Sequence, residues 1–318
     1  MVVFVEDNEK ELSEFEKYYF SEIVPTVENI NKIKDKYRTK FWGYLWTIIF
    51  LLCINLLISF FNFLINKHPI NYEQLLLVNV IGILFIFYPI YQYYKAPKQD
   101  AFDTFLAYYG SWKHLKDTEV KLVHSPIIPP HDAVYAKHNV MAEYPNWSME
   151  MRDTIYQSID TGRKNIKHVR TVSSGIIMLF HFKKKINGQV LLFEKKGFYR
   201  KNEFPDLQNV GGNLLTPLAE MFYIFADSFA LAEDLLPTLF FERVLDLKDT
   251  LGAKNVYVEI HDDIMRLYFE GAQLYFDNDK FWSRKINKDK FLQLNTAIEQ
   301  MLELLAIAQT GRQQYAKH

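Results

Sequence analysis

Residues 41–65, FWGYLWTIIFLLCINLLISFFNFLI, contain no Asp, Glu, Lys, Arg or His. Coiled as a helix at about 1.5 Å per residue, that run exceeds the roughly 30 Å hydrocarbon thickness of a bilayer. Residues 75–94, LLLVNVIGILFIFYPIYQYY, are also free of charge and just long enough to span. The short polar stretch NKHPINYEQ joins them. Lipid offers no partner to backbone N–H and C=O groups, and a helix satisfies them within its own segment. The pattern therefore predicts a transmembrane helical hairpin.

The flanks agree with that expectation. Trp42, Tyr44 and Trp46 lie at one end of the first span, and Tyr88, Tyr91, Tyr93 and Tyr94 at the corresponding end of the second. Amphipathic rings favour the headgroup level. Lys32, Lys34, Lys36, Arg38 and Lys40 precede the first span, Lys95 and Lys98 follow the second, and the loop holds only Lys67. The positive-inside rule then places both termini in the cytoplasm. The competing reading is a buried hairpin in a soluble protein, but soluble core helices seldom run so long without a charge. A signal peptide fits less well, because forty residues precede the first span where a short basic region is required. Asn55, Asn62 and Asn79 can hydrogen-bond between helices, and Pro89 is expected to bend the second span. Neither span holds an Asp, Glu, Lys, Arg or His, which suits an anchor better than an ion pathway.

Composition conceals this. A net charge of −1, with 49% hydrophobic and 24% charged residues, would suit a soluble chain. One cysteine, Cys53, excludes an internal disulfide and a Cys-based zinc site. Residues 163–201 carry eleven Lys/Arg against one acid, Glu194, a net charge of +10. Residues 202–318 carry eleven against eighteen, a net charge of −7. Arg163, Lys164, Lys167, Arg170, Lys183, Lys184, Lys185, Lys195, Lys196, Arg200 and Lys201 are thus the candidate surface for anionic lipid headgroups or an acidic partner, at about 1 kcal/mol each near a membrane. The plainer alternative is that they balance the acidic C-terminal part. Nucleic acid is disfavoured, since no nucleic-acid motif accompanies the charge.

Four regions follow. In residues 1–40, Leu12, Phe15, Tyr19, Ile23, Val27, Ile30, Ile33 and Tyr37 mark one helical face that Pro25 should kink or break. Residues 41–94 are the hairpin. Residues 95–150 read as a helix over 101–115 and a Pro-rich linker, with Pro126, Pro129, Pro130 and Pro145. Residues 151–318 read as a cytosolic α+β domain of mainly antiparallel strands with packing helices. Strands are expected over 154–160, 175–182, 189–193, 221–226, 256–260, 264–269 and 272–276, with helices over 237–251 and from about Lys288. Asn187-Gly188 predicts a hairpin between the second and third of these strands. Gly252 should stop the first helix.

The stretch from Met221 to Phe276 resembles the C-terminal part of a bacterial family, domain of unknown function 3137. The resemblance rests on Phe222, Phe225, Ala226 and Asp227, then Ala232, Leu236, Pro237, Leu239, Glu242 and Arg243. SSGIIMLFHFKKKINGQVLLF, from Ser173, is similar to the family's preceding hairpin, and FEKYYFSEIVP, from Phe15, to its N-terminal helix. Ala232-Glu233-Asp234 departs from the family's usual Ala-Arg-Tyr. The resemblance implies a topology with a two-span hairpin, in a bacterial inner membrane, and implies no activity.

Catalytic chemistry has two starting points. His131-Asp132, with His124 and His138 nearby, lacks the spacing of a zinc motif. His261-Asp262-Asp263 offers a carboxylate pair, but lies where a hairpin needs turn residues. Gly211-Gly212-Asn213 is followed by no Gly-Lys-Ser/Thr, so it makes no phosphate loop. Ser173-Ser174-Gly175 lacks a nucleophile-elbow pattern. The expectation is a non-enzymatic membrane protein, without cofactor or metal, whose cytosolic domain binds, scaffolds or regulates another membrane protein. Its rival is a membrane-associated phosphate-ester hydrolase in which the two His/Asp sets converge.

Overall fold

The computed structural model describes residues 13–66, 72–98, 100–115, 125–161, 167–197, 204–214, 220–273 and 281–315. The chain divides into two compact units. The first is Met1–Phe105 with Phe276–Lys288, and the second is Leu106–Tyr275 with Asp289–His318. The boundary expected at residue 150 falls instead inside a strand.

In the first unit a capping box starts the chain's helices. Ser13 Oγ accepts from the Glu16 N–H at 3.2 Å, and the Glu16 carboxylate accepts from the Ser13 N–H at 2.8 Å. Helix α1, Glu14–Tyr18, runs through a π-helical turn, Tyr19–Ile23, into α2, Val24–Asn66. Pro25 therefore neither ends nor divides the helix. It lacks an N–H and crowds the carbonyl four residues back, and a wider turn just upstream absorbs that mismatch. The face expected from the spacing is buried at Phe15, Tyr19, Ile23, Val27 and Ile30; Leu12 lies outside the described residues. Helix α3, Tyr72–Lys95, continues through Pro89. Helix α4, Ala101–Ala107, opens on Asp100, whose carboxylate accepts from the Phe102 N–H at 2.9 Å. Tyr18 donates to the Thr104 carbonyl at 2.8 Å, and the Phe15 and Phe105 rings meet edge-on at 6.0 Å.

The second unit is built on one antiparallel sheet. Among the described residues its strands are β1 Trp112–Leu115, β2 Ala133–Glu143, β3 Trp147–Thr161, β4 Lys167–Phe182, β5 Gln189–Glu194, β6 Gln208–Asn209, β7 Phe222–Ala226, β8 Asn255–His261 and β9 Ile264–Glu270. Their order is β1-β2-β3-β4-β9-β8-β5-β7-β6. Helices α5, Phe229–Leu235, α6, Thr238–Leu251, and α7, Asp289–Tyr315, complete the unit. Strand alternation sends Val190, Leu192, Ile224, Val258 and Leu267 to one face. The buried Phe240, Phe241, Val244 and Leu247 of α6 belong to that layer, and Phe222 meets Phe241 at 5.7 Å. The opposite face gathers Leu191, Phe193, Phe225, Tyr257, Tyr268, Ile177, Leu179 and Tyr156 under Ile127 and Ile128, with Phe204 and Leu207 against them. Gly252 ends α6 in the left-handed conformation, as the sequence predicts.

Four expectations change. The Pro-rich stretch is no linker, since β2 occupies residues 133–143 between its prolines. The helix expected over 101–115 stops at Ala107, and β1 follows a Tyr108–Gly110 turn. Of the strand expected over 272–276, Ala272 and Gln273 lie outside any strand and 274–276 outside the described residues. Finally, β4 and β5 do not pair: the β8–β9 hairpin stands between them. Phe182 and Ile186 donate their N–H groups to the Asp263 and Asp262 carbonyls of that hairpin's turn at 2.7 and 3.2 Å. Gly188 is required by its backbone conformation rather than by a two-residue turn. Its φ is +137°, and a Cβ there would lie 2.7 Å from Leu231 and 2.9 Å from the Asp227 carboxylate.

Candidate functional site

The first unit's most conspicuous surface is apolar. Glu14–Ile65 is a helical run of 52 residues, and an eighteen-residue window within it has mean hydropathy 2.6 with none of it buried. Trp46, Phe50, Leu56, Leu57, Phe60, Phe61, Leu64 and Ile65 are each more than half exposed. Apolar surface costs about 25 cal/mol per Å² in water, and a contiguous exposed patch above a few hundred Å² marks a membrane or partner contact. By length and composition this is one helix able to cross a membrane. The second expected span lies within α3, where Leu84, Phe85 and Phe87 are also exposed. Gly82 of α3 faces Ile48 of α2, with room for a Cβ only 3.3 Å from the Ile48 side chain. The connection at 67–71 and the side chains of 72–81 lie outside the described residues.

Where these helices lose their apolar character, a collar forms. Residues 281–288 lie along α2, and Arg38 donates its Nε to the Phe281 carbonyl at 2.9 Å and a terminal nitrogen to the Ser283 carbonyl. Lys34, fully buried, donates to Ser283 Oγ at 2.9 Å and to the Arg284 carbonyl at 3.2 Å. Asn31 bonds both the N–H and the carbonyl of Ile286. Lys285 pairs with Asp35 at 2.5 Å and Lys288 with Glu28 at 3.2 Å. Phe41, Tyr93 and Phe281 form a buried aromatic cluster, and Lys98 Nζ stands 3.7 Å from the Tyr93 ring centre. Two of the flanking cations counted in the sequence are thus engaged with backbone carbonyls.

The basic residues of 163–201 are dispersed in the second unit. Arg163, Lys164, Arg200 and Lys201 lie outside the described residues. Lys167 and Arg170 are exposed on the far arm of β4, opposite Thr161 and Ser158 of β3. Lys183, Lys184 and Lys185 are exposed at the other end of β4, beside the β8–β9 turn. Lys195 and Lys196 follow the last residue of β5, Glu194. The six residues of β5 set these last two groups about 20 Å apart at roughly 3.4 Å per residue. Glu194, the one acid in the segment, is buried and accepts from Lys248 Nζ at 2.6 Å and the Val256 N–H at 3.0 Å.

The two His/Asp sets do not converge. Asp132 accepts from the Ile159 N–H at 2.7 Å and from Ser158 Oγ at 3.1 Å, and the His131 ring packs on Tyr156 at 4.7 Å. This holds the chain at the start of β2, level with Gln157 and Thr171. His261, Asp262 and Asp263 form the β8–β9 turn, level with His181. The ten residues between Thr171 and His181 amount to about 33 Å along β4. Asp262 takes a φ of +50°, and its carboxylate lies 3.8 Å from His261 with both side chains about half exposed. These are turn residues, as their sequence predicts. His124 lies outside the described residues.

A buried polar group that sequence reasoning did not single out lies on the aromatic face. Glu259, 3% exposed, accepts from Arg266 at 2.7 Å, from Ser125 Oγ at 2.6 Å and from Gln189 Nε2 at 3.3 Å. The signal was present, because a turn at Asp262-Asp263 sets residues 259 and 266 opposite each other. Across β4, Arg152 pairs with Glu150. Burial pushes the Tyr156 hydroxyl up to about 12, and raises Tyr268 well beyond its ordinary range despite a 2.6 Å bond to Ser173 Oγ. Ser125 on Glu259, the His131 ring on Tyr156 and the buried Ile127 and Ile128 hold the 125–131 segment to the sheet.

Such a chain is an antiparallel α+β domain joined to a helical unit with an exposed apolar span. Residues 171–308 match the model of a family described as a protein of unknown function, DUF3137, so the chain carries that domain there. The match contains the segments from Ser173 and from Met221; the N-terminal helix lies outside it. No curated protein matches the chain. The crystal structure of the mycobacterial trehalose monomycolate transport factor A, TtfA, is similar over 64% of this chain and 92% of that one, at 12% identity and a TM-score of 0.38. A likeness at that level supports neither fold nor role.

Proposed function

We propose that this is an integral protein of a bacterial inner membrane that α2 and α3 cross as a hairpin, with both termini cytoplasmic. The second unit then works as a non-enzymatic module that binds, scaffolds or regulates another membrane protein. The observation that carries the anchor is the apolar window of α2, none of which is buried. Gly82 seated against Ile48 supports a paired second span, and the cations beside the aromatic collar support the orientation. A binding role fits a domain whose buried carboxylates Glu194 and Glu259 are held in ion pairs and whose two His/Asp sets stand strands' lengths apart.

Alkaline carbonate washing of membranes holding the full chain should leave it in the pellet. A cysteine at Asn71, in a Cys53→Ser background, should react with an impermeant maleimide added to spheroplasts. Recovery in the soluble fraction would overturn the anchor, and labelling only after lysis would overturn a hairpin with both termini cytoplasmic. Crosslinking in native membranes followed by mass spectrometry should recover one recurrent membrane-protein partner. A chain that recovers none loses the scaffold reading.

A further inference from the structure

We infer that residues 281–288 are a second, membrane-surface anchor, which seats Trp282 among the phospholipid headgroups beside the point where α2 enters the bilayer. The inference rests on the anchor reading above and extends it to a segment about 240 residues further along the chain. Nothing in the segment itself, FWSRKINK, spells a membrane motif.

Phe281 fixes the level. It is fully buried between Phe41 and Tyr93, with ring centres 5.9 and 5.4 Å away, and donates its N–H to the Tyr94 hydroxyl at 3.4 Å. Phe41 is the first residue of the first charge-free span, and Tyr94 the last of the second. The segment therefore sits where both helices pass from apolar to charged sequence. Trp282 comes next and is 58% exposed, an unusual position for the largest apolar side chain. It is not loose: its ring lies edge-on to Phe41 at 4.8 Å and to Phe281 at 4.7 Å. Trp42, 51% exposed, and Tyr94, 57% exposed, stand at the same level.

The polar surroundings fit a headgroup layer. Lys40, Lys95 and Arg284 are exposed there, and Lys95 Nζ lies 4.6 Å from the Tyr91 ring centre. An indole with cations beside it matches the phosphate–glycerol zone, where an aromatic ring keeps one edge wet and cations meet phosphate oxygens. The backbone bonds from Lys34, Arg38 and Asn31 hold the segment in place, so little ordering remains to be done on contact with lipid.

The test uses the full chain in phosphatidylcholine vesicles, with or without bromine at carbons 6 and 7 of the acyl chains, which quenches nearby tryptophans. Subtracting the emission of Trp282→Phe from that of the unaltered chain isolates Trp282. Trp46→Phe isolates a residue inside the span in the same way. Bromination should reduce the Trp282 difference spectrum at least twofold, and the Trp46 spectrum as well. Quenching of Trp46 with an unchanged Trp282 spectrum would overturn this inference and leave the anchor standing. An unquenched Trp46 would overturn the anchor, and this inference with it.

Discussion

Replacing Lys248 with Met probes the tie between α6 and the sheet. Its ammonium lies 2.6 Å from the Glu194 carboxylate, and the two side chains are only 14% and 4% exposed. Val256 supplies a backbone N–H at 3.0 Å. Lys248→Met removes the charge and leaves a buried carboxylate with the Val256 N–H as its remaining donor. Breaking a buried pair from one side costs about 3–5 kcal/mol. For a unit of this size, at roughly 2–4 °C per kcal/mol, the midpoint should drop by about 10 °C. Glu194→Gln added to Lys248→Met removes the stranded charge yet keeps an acceptor for Val256. The double variant should recover to within about 1.5 kcal/mol of the unaltered chain, since a neutral hydrogen bond to a backbone N–H is worth that order. Thermal unfolding of the full chain in detergent, followed by tryptophan emission, reads all three proteins; Trp112 and Trp147 report on the sheet. A Lys248→Met midpoint within 2 °C of the unaltered protein, or a double variant no better than the single, would refute the argument. Either outcome would mean that water reaches Glu194.

Three further expectations use the same measurement. Gly188→Ala should cost about 1–3 kcal/mol, because a φ of +137° is one that side-chain-bearing residues rarely adopt; an unchanged midpoint would contradict that strain. Asp262→Gly should leave stability unchanged or raise it by about a few tenths of a kcal/mol, since glycine takes a φ of +50° without strain; a clear fall of the midpoint would show that Asp262 does more than turn the chain. The raised Tyr156 hydroxyl favours the protonated folded state, so its contribution is intact below pH 10 and is lost as pH rises from 10 towards about 12. At about 1.4 kcal/mol per pH unit, Tyr156→Phe should flatten the alkaline fall of the midpoint by an amount on the order of 2 kcal/mol at pH 12; equal slopes would exclude the effect.

Elements buried on one or both faces were legible in the sequence. The runs 175–182, 189–193, 256–260 and 264–269 reappear within β4, β5, β8 and β9, because burial writes hydrophobic pattern into sequence. The outer arm of β4, from Lys167 to Val172, was not legible, since it is exposed along its length and carries no such pattern. β2 was hidden by prolines that flank it without entering it. The β4–β5 hairpin was misread because Asn187-Gly188 is local turn chemistry, blind to a hairpin arriving from residues 255–270. Lys34 and Arg38 show the same limit at the candidate site. Charge counting places them among the cations flanking the first span, and says nothing of their partners, which are carbonyls some 245 residues away.

The insertion of β8–β9 between β4 and β5 also dictates how the sheet can be assembled as the chain leaves the ribosome. β1 to β4 and β5 with β7 can pair within their own groups early, but each group then presents a bare inner edge until residues 255–270 have been made. Unpaired edges invite association with other chains. A nascent chain would wait in that state with two open edges at the middle of its sheet, and would be safest from its neighbours only after the last hairpin has closed both at once.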